Sequence, residues 1–385
     1  MASLEAGRLI GRVSSAACGF RVDFVDDWKR AVARWSGAGQ ETAFQHPLWF
    51  EAWYSAFSSE ASPLVAIVTD SVTERPVALI PLIVRAHHGV RIVEFADLNV
   101  TDYNAPILRV GAALDVAEAR SMCQALVAAL RKLPGKVDLI RLRKMPGGQF
   151  NPLAVLGRSG SSSLNGNIIA VGDDFEAYRN SIKRMQLPRS WRVFSRHPGA
   201  TFRMIDTVDE ALKIVDVMDQ QQQTRMGKLG LAFSLNDSVH AKFYRDLVRR
   251  GLPEGYVVVA ALTCDEGVVA TVLGIKQGGS FVFLRISNGG NGWKNCSPSR
   301  LIIERTMAAL HAQGLRRFDL SIGNYPFKRR FGAVQLRLTD ASIALTWRGS
   351  PYAWRDYAAQ SLRRHPRLAA FVGRLLRGRY PGEEE

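Results

Sequence analysis

Residues 287–331 read SNGGNGWKNCSPSRLIIERTMAALHAQGLRRFDLSIGNYPFKRRF. The segment opens as the end of a strand, passes through a loop rich in Gly and Asn, and starts a helix beyond Pro298. Leu301, Ile302, Thr306, Ala309 and Leu310 fall on one stripe at helical spacing, which predicts a helix over Ser299–Gln313. Ser297 or Ser299 is expected to cap it, and Gly314 to stop it in a left-handed conformation. A short strand follows at Arg317–Ser321. The amides of a helix start are unpaired, and the helix dipole favours negative charge there, so this loop and helix form a candidate pyrophosphate site.

Upstream of this segment the reading continues outward. A helix is predicted at Val239–Arg250 and strands at Tyr256–Leu262, Val268–Lys276 and Ser280–Ile286, from β-branched and aromatic runs bounded by Gly, Asp and Pro. The first half shows the same order about 180 to 192 positions earlier. It has an aromatic helix at Pro47–Phe57 and strands at Leu64–Thr69, Pro76–Arg85 and Arg91–Phe95. A loop carrying Asp102 and Tyr103 follows, then a helix at Ala117–Leu133 and a strand at Val137–Leu142. The expected fold class is α+β, with two similar units, each a mixed, mostly antiparallel sheet flanked by helices. The Gly/Ser-rich stretch 157–166 (GRSGSSSLNG) is the expected loop between them. The expected divisions are 1–170, 171–350 and a basic tail, 351–385.

The chain has 385 residues, 47% hydrophobic and 22% charged, a globular composition. Its longest apolar runs, such as Val77–Val84, are too short to cross a bilayer. Arg8 and Arg12 are not followed by an apolar stretch, so no signal peptide is expected. Cys18, Cys123, Cys264 and Cys296 are scattered, with no metal-ligand spacing and no disulfide framework. Transmembrane, collagen-like and small disulfide-rich classes are thereby excluded. No metal cofactor and no Ser–His–Asp set is expected, and a reduced, cytoplasmic setting follows.

The net charge is +16, and residues 171–350 carry +10 of it. No acidic residue interrupts positions 179–203, which hold Arg184 and Arg189 among seven basic residues. Such a field attracts nucleotides, coenzyme A, RNA or anionic lipid. Arg184, Arg189 and Arg225 could clamp phosphate. In the tail, Trp354–Tyr380 alternates Leu, Phe and Val with arginines. This suits a helix on an anionic membrane surface or one packed on the protein.

Ser297-Pro298, Leu301, Glu304, Gly314, Phe318-Asp319, Gly323, Tyr325 and Lys328 together resemble the GNAT-type acyltransferase domain of CelD-like cellulose and exopolysaccharide biosynthesis proteins, which is related to the Fem aminoacyltransferase superfamily. Ser181–Arg184, Arg225 with Gly230, Trp49-Phe50 with Trp53, and Asp102-Tyr103 extend the resemblance over about residues 40–335. It implies two tandem GNAT-like units, an acyl donor in the second, and direct attack on its carbonyl by an acceptor amine or hydroxyl. The donor pyrophosphate would lie at Asn288, Ser297, Ser299 and Arg300, with Arg225. The usual Arg/Gln-x-x-Gly-x-Gly/Ala phosphate loop is absent; the segment runs Ser-Pro-Ser-Arg.

Acyl transfer needs fixed positive charge at the oxyanion, and Lys328 is the expected source. Asp319 or Asp102 is the expected base, Asp102 by the resemblance to Fem-like proteins. Tyr103 and Tyr325 are expected to orient the substrate carbonyl. Three functions follow. The first is transfer from acetyl-CoA or another acyl-CoA to a sugar or amine in envelope polysaccharide biosynthesis, with contact at the inner membrane face through 354–380. The second is aminoacyl transfer from charged tRNA to a peptidoglycan precursor. The third is a catalytically silent scaffold in a synthase complex.

Overall fold

A computed structural model describes residues 19–35, 39–40, 42–112, 114–147, 151–233, 235 and 237–364. In chain order the first elements are β1 (Phe20–Val25), α1 (Trp28–Arg34), β2 (Gly39–Gln40), α2 (Pro47–Ala56), β3 (Ser62–Asp70), β4 (Pro76–His87), β5 (Val90–Phe95), β6 (Ile107–Arg109), α3 (Val116–Arg131) and β7 (Leu139–Pro146). Then come β8 (Arg158–Ala170), α4 (Phe175–Ser181), α5 (Leu187–Phe194), β9 (Thr201–Ile205), α6 (Val208–Lys228), α7 (Ser238–Gly251), β10 (Val257–Cys264), β11 (Gly267–Gln277) and β12 (Ser280–Asn288). Last are α8 (Pro298–Ala312), β13 (Arg317–Asp319), α9 (Pro326–Arg330), β14 (Val334–Ala344) and α10 (Ser350–Arg364). Among the described residues no helix is long and apolar enough to cross a membrane.

Two units divide the chain. Of the described residues, one unit takes those within 19–40, 60–164 and 337–364, and the other those within 42–59 and 165–336. In the first, strands are ordered β1-β3-β4-β5-β7-β14. The β3–β4–β5 pairs are antiparallel and β5–β7 is parallel. In the second the order is β8-β13-β12-β11-β10-β9. There the β10–β11–β12 pairs are antiparallel and β12–β13 is parallel. Each unit therefore makes a three-stranded meander, crosses through one helix (α3 or α8), and returns with a parallel strand. A parallel return needs such a crossover, and the repeated order read from sequence is this motif. Each unit buries its own core: Ile80, Leu126 and Leu142 in the first, Val272, Leu301 and Phe318 in the second.

The residue ranges of these units differ from the expected divisions at both ends. Helix α2 belongs to the second unit, where Trp49 meets Phe243 of α7 edge-on at 5.0 Å and Phe57 lies 5.7 Å from the same ring. Trp49, Trp53 and Phe57 form a stripe at helical spacing that only a second apolar surface can bury, and α7 supplies it. Residues 337–364 fold with the first unit, where β14 pairs with β7.

The stretch 157–166 is a strand for most of its length, not the loop its composition suggested. Its small residues serve close packing: a Cβ on Gly160 would lie 2.5 Å from the Gln360 side chain of α10. The chain does pass from one unit to the other within β8, between residues 164 and 165. Of the expected tail helix, α10 covers the start; the remainder, with Pro366, lies outside the described residues.

Candidate donor site at the start of α8

Strand β12 carries the first part of the site. Its pairing with β13 covers Ser280–Val282 against Arg317–Asp319, while β12 itself runs on to Asn288. Between these points Leu273 pairs with Arg285 and Gly274 with Phe283, so Leu284 is an extra residue in β12, a bulge. Gly274 is required there, since a Cβ would lie 2.2 Å from the Phe281 ring. Beyond the bulge the neighbouring strand has ended, and β12 leads out into the Gly/Asn loop.

Asn288 clasps that loop. Its Oδ1 accepts from the Gly290 amide at 2.9 Å, and its Nδ2 donates to Ser299 Oγ in the first turn of α8 at 2.6 Å. Ser297 precedes the helix in the left-handed region at φ +49°. It makes no side-chain cap; its Oγ accepts from Arg300 Nη2 at 2.7 Å instead. The serine cap expected from the sequence is therefore absent, because a left-handed Ser297 cannot turn its hydroxyl back on the helix amides. Pro298 has no N–H, and the amides of Arg300 and Leu301 both return to Ser297 O. The helix start offers few amides, and its positive field comes mainly from side chains.

A cleft of about 740 Å³ opens here. Residues 288–290, Lys294 and 297–300 form one wall, and α6 forms the other with Gln220, Arg225 and Lys228. Asn288, Ser297, Ser299, Arg300 and Arg225, assigned to the donor from the sequence, all line it. Lys228 and Lys294 were missed; the sequence signal was the three-residue step from Arg225 to Lys228 on one helix face. Four cations and no carboxylate line the cleft. Val217, Leu229 and Pro298 add apolar surface.

Glutamines and a buried arginine fix α6 against the sheet. Gln221 donates to Val268 O at 2.8 Å and accepts from Ser287 Oγ at 2.6 Å. Gln222 donates to Ile286 O at 3.1 Å, and buried Arg285 on β12 reaches Asp219 of α6 at 2.6 Å. Both walls of the cleft are thus tied to β11 and β12. Deeper in α8, Glu304 is buried and paired with Arg179 at 2.6 Å.

The expected catalytic residues lie elsewhere. Lys328 on α9 does not line the cleft. It is only 4% exposed, and its Nζ donates to Ile322 O at 2.6 Å and Ser321 O at 3.2 Å. Asn167 joins it, donating to Ser321 O and Gly323 O at 2.8 and 2.9 Å. Together they gather the carbonyls of the turn 321–323. Burial and the two carbonyl bonds orient the Lys328 ammonium to this turn. Asp319 is buried at the end of β13, and its Oδ1 accepts from Ser321 N at 2.7 Å. Tyr325 is 63% exposed and its ring lies 5.5 Å from Lys328 Nζ. Arg184 and Arg189 are exposed, and Arg189 donates to Gln186 at 3.2 Å.

Asp102 and Tyr103 belong to the first unit, in the loop after β5. Tyr103 is buried and Asp102 half-buried. A buried lysine knits this loop: Lys144 Nζ meets Asp97 at 2.7 Å and also Thr101 O. At the start of α3, Asp115 accepts from the amides of Ala117 and Glu118, and Glu118 accepts from Asp115 N at 2.9 Å. This capping box places two carboxylates on the helix start that corresponds, in the repeat, to the start of α8. Their negative charge disfavours phosphate at this helix start, whereas the start of α8 is lined by cations. Among the described residues no group of three His, Cys, Asp or Glu could hold a metal.

Residues 181–329 match a family described as an acetyltransferase (GNAT) domain. No curated protein sequence matches the chain. Solved structures are similar in fold. The C-terminal domain of a candidate lysylphosphatidylglycerol synthetase from Agrobacterium fabrum has a TM-score of 0.52 at 12% identity, covering 86% of this chain and 96% of that one. FemX has a TM-score of 0.55 at 9% identity, covering 83% and 96%. L-PGS from Bacillus licheniformis has a TM-score of 0.50 at 14% identity, covering 82% and 91%. At these identities the likeness is one of fold. The family match falls inside the unit that holds the open cleft: this unit carries a GNAT-type acetyltransferase domain, and the protein is an acyltransferase.

Proposed function

We propose that the cleft between α6 and the start of α8 binds the phosphates of an acyl-CoA, and that the second unit passes its acyl group to an amine or sugar hydroxyl of a cell-envelope polysaccharide. The observation that carries the donor is the set Arg225, Lys228, Lys294 and Arg300 around one cleft without a carboxylate. Cations gathered this way bind phosphate without help from a glycine loop. The apolar side of the cleft suits the pantetheine arm.

The carbonyl would then lie along β12 near the Leu284 bulge, where β13 has ended and strand amides can donate to the developing oxyanion. The acceptor's nucleophilic atom attacks that carbonyl, its proton leaves to a base, and the thiolate of coenzyme A departs. Lys328 and Asn167 shape the turn 321–323 near which the acceptor would enter. Asp319 and Asp102 remain the proposed bases, with Tyr325 and Tyr103 as orienting hydroxyls. Arg184 and Arg189 are proposed to contact acceptor phosphate. The choice of a polysaccharide acceptor rests on the CelD-like resemblance of Phe318-Asp319, Gly323, Tyr325 and Lys328.

Calorimetry with coenzyme A and acetyl-CoA tests the donor. Micromolar binding, weakened at least tenfold in Arg225→Gln/Lys294→Gln, is the expected result. Binding of aminoacyl-tRNA with none of coenzyme A would move the donor to charged tRNA. Binding of neither would leave a scaffold.

A further inference from the structure

Helix α10 packs on the rest of the first unit through a polar cluster beside a small apolar one. Asp356 is paired there with buried Arg141 at 2.7 Å and accepts from Ser342 at 2.8 Å, and Gln360, 5% exposed, donates to Asp340 O at 3.3 Å. Tyr352 and Ala353 pack against Val90, Ile92 and Leu139. The outward side carries the large aromatics: Trp354 is 64% exposed, and Trp347, in the turn that leads into the helix, is 79% exposed. Trp347, Pro351, Trp354 and Ala358 follow one another at four, three and four residues, one face of a helix.

Arginines flank this face. The Arg348 guanidinium lies 5.7 Å from the Trp347 ring, and the Arg355 side chain is 66% exposed with its guanidinium 3.8 Å from Asp356 Oδ1. The one acid between residues 345 and 364 is Asp356, turned inward and 11% exposed. The sequence then continues through 365–380 with four arginines and no acid.

We propose that this face of α10, with Trp347, Trp354, Arg348 and Arg355, docks the protein on the surface of an anionic lipid bilayer. Tryptophan is favoured at the boundary between headgroups and acyl chains, where its ring is apolar and its N–H stays wet. Arginines beside it meet lipid phosphates and supply the charge complementarity. A protein partner of mixed charge would not require an outward face so uniformly free of acid. The inference is independent of the donor assignment.

The test is flotation of the full chain with vesicles of phosphatidylcholine alone or with 30% phosphatidylglycerol, a fraction of roughly the anionic content that such surface attraction needs. The expected result is flotation only with the anionic vesicles, reduced at least fivefold in Trp347→Ser/Trp354→Ser and in Arg348→Gln/Arg355→Gln. Unchanged melting temperature and far-ultraviolet circular dichroism would show that the variants are folded. Flotation that ignores phosphatidylglycerol, or that the tryptophan variant retains, overturns the proposal. So does a wild-type dimer by light scattering that the tryptophan variant turns into monomer, which would make a second copy the occupant.

Discussion

Asn288 Nδ2 donates to Ser299 Oγ at 2.6 Å, joining the last residue of β12 to the first turn of α8 across the mouth of the cleft. The same side chain holds the Gly290 amide. Asn288→Ala removes both bonds and should cost about 1–2 kcal/mol of stability. It should also weaken coenzyme A about tenfold, because the cleft wall loses its brace. Asn288→Asp keeps the bond to Gly290 but adds a negative charge, so it should bind donor more weakly still. Calorimetry and thermal melts on both variants check the order; tighter binding in Asn288→Asp would refute the anionic-ligand reading.

The cations of the cleft are at least partly exposed, so their attraction for phosphate is screened. Coenzyme A affinity should fall as salt rises from about 0.05 to 0.5 M. Lys294→Gln and Arg225→Gln should each weaken binding about five- to tenfold and flatten the salt dependence. A salt-independent affinity would place the ligand elsewhere.

Lys328 donates to two carbonyls while buried. Lys328→Met strands those carbonyls and should destabilise the protein by about 1–3 kcal/mol. Coenzyme A affinity should stay within about twofold, since the ammonium does not line the cleft. Lys328→Arg should restore part of the stability. A variant that melts normally yet loses turnover would instead return Lys328 to the reacting atoms.

The first unit's helix start gives the control. Asp115→Ala removes the capping box of α3 and should cost about 1 kcal/mol. Donor affinity should not change. Altered coenzyme A binding in this variant would put a donor site in the first unit.

His46 caps α2, where Nδ1 accepts from Leu48 N at 3.2 Å and the ring stacks on Tyr256 at 4.1 Å. Burial pushes its pKa down to about 4. The unfolded chain takes up this proton near pH 6.5 and the folded one near pH 4, so the contribution of neutral His46 is full above pH 6.5 and lost on acidification toward pH 4. Protonation also removes the acceptor that caps the helix. His46→Asn keeps a capping oxygen and does not titrate. Melting temperatures followed from pH 7.5 to 4 should fall more steeply for wild type than for His46→Asn, and parallel curves would refute the assignment.

The meanders were legible because Val257–Val259 and Val268–Val269 leave little choice but a buried strand, and Gly314 marks the end of α8 unmistakably at φ +95°. The strand–loop–helix that lines the cleft was readable for the same reason. Strand β8 was not, since its Gly160 answers to a neighbour, Gln360, that lies two hundred positions away. Ser297 looked like a cap because residue type alone does not report a left-handed φ. Lys328 reads as the cation for the oxyanion because it follows a strand-end turn in a basic run; only the fold reveals that Ile322 and Ser321 present carbonyls to it. Lys294 lies within the segment read first, but a lone lysine among Gly, Asn and Trp gives no sign of which side it takes.

The excursion of residues 41–59 has a practical meaning for anyone who would clone half of this gene. A truncation starting at 171 discards Trp49 and Trp53, strips the cover from Phe243, and presents a greasy helix surface to water. A truncation ending at 170 keeps that aromatic segment with nothing to sit against. With segment 41–59 interleaved in this way, the two units are not separable cassettes, and an expression plan must keep both in a single reading frame.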